Sequence, residues 1–223
     1  TSRIYKSLEN DIEFLKIIKN IPKLVVILIG DRIDSLLYVK MKKKKLLELG
    51  LECELIFFPE DTQDELVIKH ISMFNSDKKI HGILVQLPLP NHMDTNSILN
   101  TIDYKKDVDG FHFKNYGLLT INNFQESFVP CTAQAVMEFF NFYNISLLGK
   151  NVVIVGASKV IGLPVSLLCL HQNATVTICH KFTENIKEKT KMADILIVCC
   201  GVKHLINKSH IKTGCIIIDV GIH

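Results

Sequence analysis

The sequence predicts an α/β protein of two lobes, each built around a parallel β-sheet. The chain has 223 residues, 48% of them hydrophobic and 22% charged, which is enough to bury one sizeable core or two modest ones. Short apolar runs of strand length alternate with segments of helical periodicity. The same alternation occurs in both halves of the chain, so we expect β-α-β units throughout.

The first half begins with helical periodicity. Ile4, Leu8, Ile12 and Leu15 recur at helical spacing, which predicts a helix over residues 2–19 that Pro22 stops. The continuous Leu/Val/Ile run that follows is typical of a parallel strand covered on both faces. The predicted order is strand Lys23–Gly30, helix Ser35–Leu49, strand Glu52–Phe58, helix Thr62–Phe74 and strand Gly82–Gln86.

The middle of the chain is rich in turn residues from Leu87 to Tyr116, and a short hairpin is predicted over Leu118–Phe128. Pro130 introduces a helix, Thr132–Tyr143, in which we place the boundary between lobes of residues 1–134 and 135–223. The second lobe is predicted to contain strands Asn151–Val155, Thr175–Cys179, Ile195–Cys199 and Cys215–Val220, with helices Ile161–Gln172 and Ile186–Met192. This order fits a Rossmann-like, doubly wound sheet that binds a nucleotide.

Composition argues against several classes of protein. The net charge of +3 and the single dense basic block, Lys42–Lys45, are too little for a nucleic-acid-binding protein. Apolar runs such as Leu24–Ile29 are far shorter than the roughly 18 residues of a membrane span. The seven cysteines show no C-x-x-C pair or metal-ligand spacing, so we expect reduced thiols, no metal and a cytoplasmic location. An organellar location stays open, because the chain begins without Met and a targeting segment is removed in mature proteins.

A glycine-rich turn marks the expected nucleotide site. Gly156–Gly162 has the pattern G-x-S-x-x-x-G between a buried strand and a helix, where the backbone can approach a pyrophosphate; the alternative is a tight turn that binds nothing. NAD-preferring sheets carry an acidic residue after the second strand, but this chain has His180 and Lys181 there. A cation at this point favours NADP over NAD, unless Lys181 is only a solvated loop lysine.

Six segments resemble one known family. In chain order they are Tyr38–Lys42, Val85–Pro90, Lys106–Gly110, Pro130–Thr132, the nucleotide turn ending in Gly162–Pro164, and Ile218–Ile222. Their order and spacing are similar to those of the bifunctional methylenetetrahydrofolate dehydrogenase/methenyltetrahydrofolate cyclohydrolase family. The resemblance implies a folate-binding catalytic lobe, a dinucleotide-binding lobe, an active site in the cleft between them and a homodimer.

The resemblance also implies roles for single residues. Tyr38 matches the residue that packs on the folate rings, Lys42 the general acid/base, Gln86 the residue that orients that lysine, and Asp109 the carboxylate that binds the pterin amino group. Ser35, Leu87 and Pro88 are expected to complete the folate pocket. The residues expected to contact the cofactor are Gly156, Ala157, Ser158, Ile161, Gly162, His180, Lys181, Cys200, Gly201, Val220 and Gly221.

The residues themselves support these roles. Tyr38 and Lys42 are four apart, so on a helix they share one face, although most such pairs are ordinary surface pairs. Gln86 is polar and ends an otherwise apolar strand, where open α/β sheets place ligand-binding groups. Of the two carboxylates in the Asp107–Gly110 loop, Asp107 is the better candidate for a purely structural role.

The sequence departs from the family pattern at three places. Ala133 stands where Pro is common, Ala157 stands where many members have an Arg for the 2′-phosphate, and the family's last segment has no counterpart here. With all four polar positions present, we expect dehydrogenation of 5,10-methylenetetrahydrofolate followed by hydrolysis to 10-formyltetrahydrofolate. The alternatives are a truncated, non-catalytic ligand-binding form and another two-lobed Rossmann dehydrogenase.

Overall fold

The computed structural model describes residues 2–221, and the side chains of residues 4–221. The chain divides into two compact units, Thr1–Val108 and Asp109–His223. The units meet between residues 108 and 109, which is earlier in the chain than the lobe boundary predicted from the sequence between residues 134 and 135. The predicted lobe boundary stays a prediction.

The first unit contains a three-stranded parallel sheet. Strands β1 (Lys23–Ile29), β2 (Glu52–Phe58) and β3 (Gly82–Val85) are arranged in the order β2-β1-β3. The central strand β1 is almost wholly buried from Val25 onward, as its uninterrupted apolar run predicts. The unit's helices are α1 (Ser2–Ile17), α2 (Ile33–Glu48), α3 (Asp64–Ser76) and α4 (Thr95–Thr101).

Helix α2 covers one face of this sheet. Val39 of α2 packs in a cluster with Val26, Leu28 and Leu84. The helix starts four residues after β1 ends, so its first turns lie near the carboxyl edge of the sheet, where Gln86 follows β3. The fold therefore directs α2 and the end of β3 to the same edge.

Lys106 secures the end of helix α3. Its ammonium donates hydrogen bonds to the carbonyl oxygens of Phe74, Asn75 and Asp77 at 3.0, 2.8 and 2.8 Å. The last carbonyls of a helix lack partners within the helix, and a hydrogen bond to a charged donor contributes about 1.5–3 kcal/mol. This lysine of the Lys106–Gly110 motif therefore has a structural task that the sequence did not reveal.

The second unit contains a four-stranded parallel sheet of order β5-β4-β6-β7. Its strands are β4 (Asn151–Val155), β5 (Thr175–Cys179), β6 (Ile195–Val198) and β7 (Ile216–Asp219). Alternate residues of β4 point to opposite faces. Val152 and Ile154 join the core under α6 (Cys131–Phe142) and α7 (Gly162–His171), whereas Val153 and Val155 join the core beside α8 (Ile186–Lys191).

The predicted hairpin over Leu118–Phe128 is wrong. Helix α5 (Phe113–Thr120) occupies its first part, and turns follow. The helix forms because the His112 imidazole accepts a hydrogen bond from the Lys114 backbone N–H at 3.0 Å, which caps the first turn. Leu119 then becomes fully buried in the core of the unit.

Two further expectations need correction. The stretch predicted as turns contains α4, whose first N–H groups at Asn96 and Ser97 donate to the Asp94 carboxylate. Helix α1 ends at Ile17, well before Pro22, and Lys19 has a left-handed backbone with φ of 56°. The other predicted helices and strands agree with the structure to within about two residues at each end.

None of the helices in residues 2–221 has the length and apolar character to cross a membrane.

Candidate active site

Three residues of the predicted folate site lie together in the first unit. The Lys42 ammonium donates a hydrogen bond to Gln86 Oε1 at 3.4 Å and lies 4.4 Å from the centre of the Tyr38 ring. Tyr38 and Lys42 are one helical turn apart on α2, and Gln86 directly follows β3. Helix α2 and the end of β3 thus bring an amine, an aromatic face and an amide close together.

The Gln86 amide is held in a fixed orientation. Its Nε2 group donates to the Leu87 carbonyl oxygen at 2.8 Å, and that oxygen can only accept. The other end of the amide, Oε1, is therefore directed at the Lys42 ammonium. The Leu87–Pro88 peptide bond is cis.

Ser35 is buried in the first turn of α2, and its N–H donates to Asp34 Oδ1 at 2.9 Å. Arg32 forms a salt bridge with the same carboxylate at 2.8 Å. The Arg32 hydrogen bond, with the Ser35 N–H, lowers the pKa of the exposed Asp34 to about 2. The start of α2 therefore carries a charged carboxylate, the favourable sign for a helix N-terminus.

The two carboxylates of the Asp107–Gly110 loop differ in exposure. Asp107 is 2% exposed and forms a β-bridge with Ile83 beside β3, whereas Asp109 is half-buried at the start of the second unit. Gly110 has a φ of +70°, and a Cβ there would lie 2.5 Å from the Phe128 carbonyl oxygen. Only glycine fits this turn, which fixes the backbone next to Asp109.

The glycine-rich turn of the second unit connects β4 to α7. Gly156 has a φ of +121°, and a Cβ on Gly162 would overlap the Gly156 carbonyl oxygen. The Ser158 hydroxyl accepts a hydrogen bond from the Ile161 N–H at 3.2 Å, which closes the turn. The turn is thus free of side chains at both glycines and leads into a helix N-terminus, as a pyrophosphate site requires. Ala157 lies between Gly156 and Ser158 and presents no charge.

A second turn follows β5, next to the first. The His180 N–H donates to Thr183 Oγ1 at 2.8 Å, and the Thr183 N–H donates to the His180 carbonyl oxygen at 2.9 Å. Lys181 and Phe182 stand at the tip of this turn, with the Lys181 ammonium 4.8 Å from the centre of the Phe182 ring. His180 and Lys181 were predicted from the sequence, whereas Phe182 and Thr183, which also form this turn, were not. A threonine three residues after His180 is a turn signal that could have pointed to Thr183.

The remaining predicted cofactor residues follow β6 and β7. Cys200 and Gly201 come after β6, while Val220 and Gly221 come after β7. A Cβ on Gly221 would lie 2.5 Å from the Cys200 carbonyl oxygen, so the two segments are in close backbone contact. The predicted cofactor residues therefore lie in loops at the carboxyl edge of one sheet or, for Gly162, at the start of the helix that follows, where doubly wound sheets bind ligands.

Two cysteines of the second unit are neutral thiols, because burial raises the pKa of Cys169 and that of Cys199 to about 12. These two thiols act as small hydrophobic side chains. None of the seven cysteines is in a disulfide, and residues 2–221 contain no group of three His, Cys, Asp or Glu side chains that could hold a metal ion.

A doubly wound parallel sheet with a glycine-rich turn after its first strand defines the second unit as a dinucleotide-binding domain. Comparison with protein families identifies both parts of the chain. Residues 130–223 match the tetrahydrofolate dehydrogenase/cyclohydrolase NAD(P)-binding domain, and residues 1–109 match the catalytic domain of the same family. The chain belongs to the tetrahydrofolate dehydrogenase/cyclohydrolase family.

Known proteins agree with this assignment. The bifunctional protein FolD of Hydrogenobaculum sp. (strain Y04AAS1) is 46% identical over 201 residues, which are 90% of this chain and 72% of that protein. The crystal structure of the Campylobacter jejuni bifunctional FolD enzyme superimposes with a TM-score of 0.96 at 39% identity, covering 100% of this chain and 78% of that one. The Trypanosoma brucei enzyme, solved with NADP and an inhibitor, gives a TM-score of 0.93 at 33% identity, covering 99% and 75%.

The family predicted from the sequence is therefore confirmed, as are the α/β fold and the bifunctional dehydrogenase/cyclohydrolase class. The match over both parts of the chain decides against another kind of two-lobed Rossmann dehydrogenase. The roles of single residues stay predictions, and the structure supplies the geometry on which they can be argued.

Proposed function

We propose that this chain oxidises 5,10-methylenetetrahydrofolate to 5,10-methenyltetrahydrofolate with NADP and hydrolyses the product to 10-formyltetrahydrofolate. The observation that carries this proposal is the Tyr38, Lys42 and Gln86 cluster in the part of the chain that matches the catalytic domain. It places a proton-transfer group beside an aromatic face on which the rings of a folate can stack.

For the dehydrogenase step, the protein mainly supplies alignment. Bound NADP would accept the hydride from the methylene carbon. Gly156 and Gly162 allow the tight turn into the N-terminus of α7, because a Cβ at either position would collide with neighbouring backbone. The N–H groups of such a helix start suit the pyrophosphate of this cofactor. Ser158 and Ile161 close the turn that would hold the pyrophosphate, and the other proposed contacts come from the segments after β5, β6 and β7.

For the cyclohydrolase step, water adds to the methenyl carbon and loses one proton. The resulting hydroxyl group loses its proton as the carbonyl forms, and the ring nitrogen gains a proton as its bond to that carbon breaks, so one proton is released in all. Lys42 is the proposed acid/base for these transfers. Gln86 keeps the Lys42 side chain in position through the 3.4 Å hydrogen bond, and Tyr38 limits its motion from the other side. Positioned groups of this kind typically accelerate a step by about 100-fold to 10,000-fold.

The proposed pterin contact is Asp109, whose carboxylate would accept hydrogen bonds from the amino group and a ring N–H. Ser35, Leu87 and Pro88 are proposed to line the remainder of the folate pocket. The fixed turn at Gly110 supports the assignment of Asp109, because a recognition group must be held in place before the ligand arrives.

A preference for NADP over NAD is the finer part of the proposal. No acidic side chain occurs between Cys179 and Thr183, and Lys181 stands at the tip of that turn. A 2′-phosphate would gain a charged partner there, and a hydrogen bond between charged groups contributes about 1.5–3 kcal/mol. The Trypanosoma brucei relative, solved with NADP, supports this choice.

Lys181→Glu is expected to raise the Michaelis constant for NADP by about tenfold or more, since it replaces attraction of the 2′-phosphate by repulsion. The constant for NAD should change little. Initial rates measured with each cofactor at saturating folate give both values. Equal effects on the two cofactors would remove Lys181 from the site.

We also propose a homodimer in the cytoplasm. The homodimer is what the family resemblance implies, and seven cysteines without a disulfide support a reducing compartment.

The direct test is an assay of the purified chain with 5,10-methylenetetrahydrofolate and NADP. We expect NADP reduction to depend on the folate, and added methenyltetrahydrofolate to disappear faster than in buffer. NADP binding without either reaction would identify a non-catalytic, ligand-binding protein. Reduction without accelerated hydrolysis would leave a dehydrogenase alone.

A further inference from the structure

The turn after β5 exposes a large aromatic side chain that the proposed mechanism does not use. Phe182 is 77% exposed and belongs to neither described core of its unit. An isolated exposed phenylalanine is common and needs no function by itself. Phe182 differs because its ring lies beneath the Lys181 ammonium at 4.8 Å and has the His180 ring edge-on at 6.2 Å.

The backbone of this turn is closed by its own hydrogen bonds. Thr183 pairs with both the N–H and the carbonyl oxygen of His180, at 2.8 and 2.9 Å. His180 Nδ1 in addition accepts the Phe182 N–H at 3.2 Å. These three hydrogen bonds fix the turn around the two residues at its tip, so the Lys181 and Phe182 side chains start from a fixed backbone.

The turn also has a fixed place beside the glycine-rich turn. The Gly156 N–H donates to the Cys179 carbonyl oxygen at 2.8 Å, directly before His180. A nucleotide whose pyrophosphate lies at the glycine-rich turn extends its adenosine ribose toward the end of the second strand of such a sheet. Lys181 and Phe182 therefore lie where a substituent on the ribose 2′ position would be recognised.

We propose that Phe182 is a positioning residue that holds the Lys181 ammonium ready for a 2′-phosphate, and so strengthens the selection of the phosphorylated dinucleotide. This inference rests on the proposed use of NADP. A free lysine side chain has many rotamers and loses that freedom when it pairs with a phosphate. The Phe182 ring restricts those rotamers before the nucleotide binds, and it leaves the ammonium donors on the side away from the ring open to a phosphate.

The same ring could instead stack on the adenine. The observed contact favours positioning, because in this structure the ring is engaged with the ammonium. The two roles differ in their effect on ligands: stacking would help every adenine nucleotide, whereas positioning helps only those that carry a 2′-phosphate.

The test compares two fragments of the cofactor, adenosine 2′,5′-bisphosphate and adenosine 5′-monophosphate. Their dissociation constants are measured by calorimetry for the wild type, Phe182→Leu, Phe182→Tyr, Lys181→Met and the double variant Lys181→Met/Phe182→Leu. Phe182→Leu should weaken binding of the bisphosphate by about two- to fivefold, the range for an exposed cation–π contact, and leave the monophosphate unchanged. Phe182→Tyr keeps the ring and should bind as the wild type does. In the Lys181→Met background, Phe182→Leu should have no further effect.

Each of the other possible outcomes would contradict either the positioning role of Phe182 or the proposed preference for NADP. Equal weakening of both fragments by Phe182→Leu would replace positioning by stacking on adenine. Additive effects of the two substitutions, or a silent Phe182→Leu beside an effective Lys181→Met, would overturn positioning and leave the NADP assignment intact. A Lys181→Met variant with an unchanged preference for the bisphosphate would overturn both. Thermal unfolding of each variant serves as the control, since Phe182 is too exposed for its replacement to disturb the core.

Discussion

Lys42→Met is expected to lose nearly all hydrolysis of methenyltetrahydrofolate, while hydride transfer to NADP falls much less. Hydrolysis needs proton movement to and from the reacting groups, whereas hydride transfer needs mainly alignment. Loss of a positioned acid/base costs about 100-fold to 10,000-fold. Methionine has a side chain of about the length of the lysine stem but lacks the ammonium that lies over Tyr38, so it has no proton to give. The two rates are measured on the same preparation, as loss of the methenyl compound and as NADP reduction.

Lys40→Met is the matched control. Lys40 lies on the same helix, is exposed and has the same charge as Lys42. Its replacement should leave both rates close to those of the wild type. Hydrolysis at the wild-type rate by Lys42→Met would contradict the proposed mechanism and make Lys42 one more charge in a solvated run.

Asp109→Ala is expected to weaken folate binding by about 10-fold to 100-fold without affecting nucleotide affinity. A buried polar group that loses its partner costs about 1–3 kcal/mol, and here the pterin amino group would be left without its acceptor. Titration of the protein with a folate and, separately, with NADP gives both affinities. Unchanged folate affinity would show that Asp109 is only a turn carboxylate.

The control for this variant is stability. Asp109 is half-buried, so its replacement should leave the unfolding temperature nearly unchanged, in contrast to the buried Asp107. A large fall in unfolding temperature for Asp109→Ala would assign the folate effect to a disturbed loop instead of a lost contact.

The strands were the most predictable part of the fold. Strands β2, β4 and β5 have the predicted limits, although only β4 is largely buried and the other two are edge strands of their sheets. Their β-branched, aromatic and other apolar residues favour a strand in either place. The short helices were not predictable in the same way. Helix α5 depends on capping by His112 and on burial of Leu119 in a core assembled from distant segments. Helix α4 could have been predicted, since Asp94 precedes it and its carboxylate caps the first N–H groups of the helix.

The candidate site also contains contacts that could be predicted from the sequence and contacts that could not. Tyr38 and Lys42 are neighbours by helical geometry alone, so their pairing follows from the sequence. Gln86 is 44 residues away from Lys42, and only the fold brings the two together. The sequence pointed to Gln86 through its place at a strand end and through the family resemblance. The role of Lys106 was out of reach, because no pattern of side chains tells which backbone carbonyls will lack partners.

The two hydrogen bonds of Gln86 make this position sensitive to a very small change in the gene. Codons for glutamine and glutamate differ by one base, and the two side chains have nearly the same shape. The amide donates to the Leu87 carbonyl oxygen and accepts from Lys42, whereas a carboxylate would turn an acceptor toward an acceptor at 2.8 Å. The carboxylate would also place a full negative charge against the Lys42 ammonium. Gln86→Glu, which most protein surfaces would tolerate, would here remove the hydrogen bond that orients the side chain and, in the proposed mechanism, slow proton transfer by Lys42.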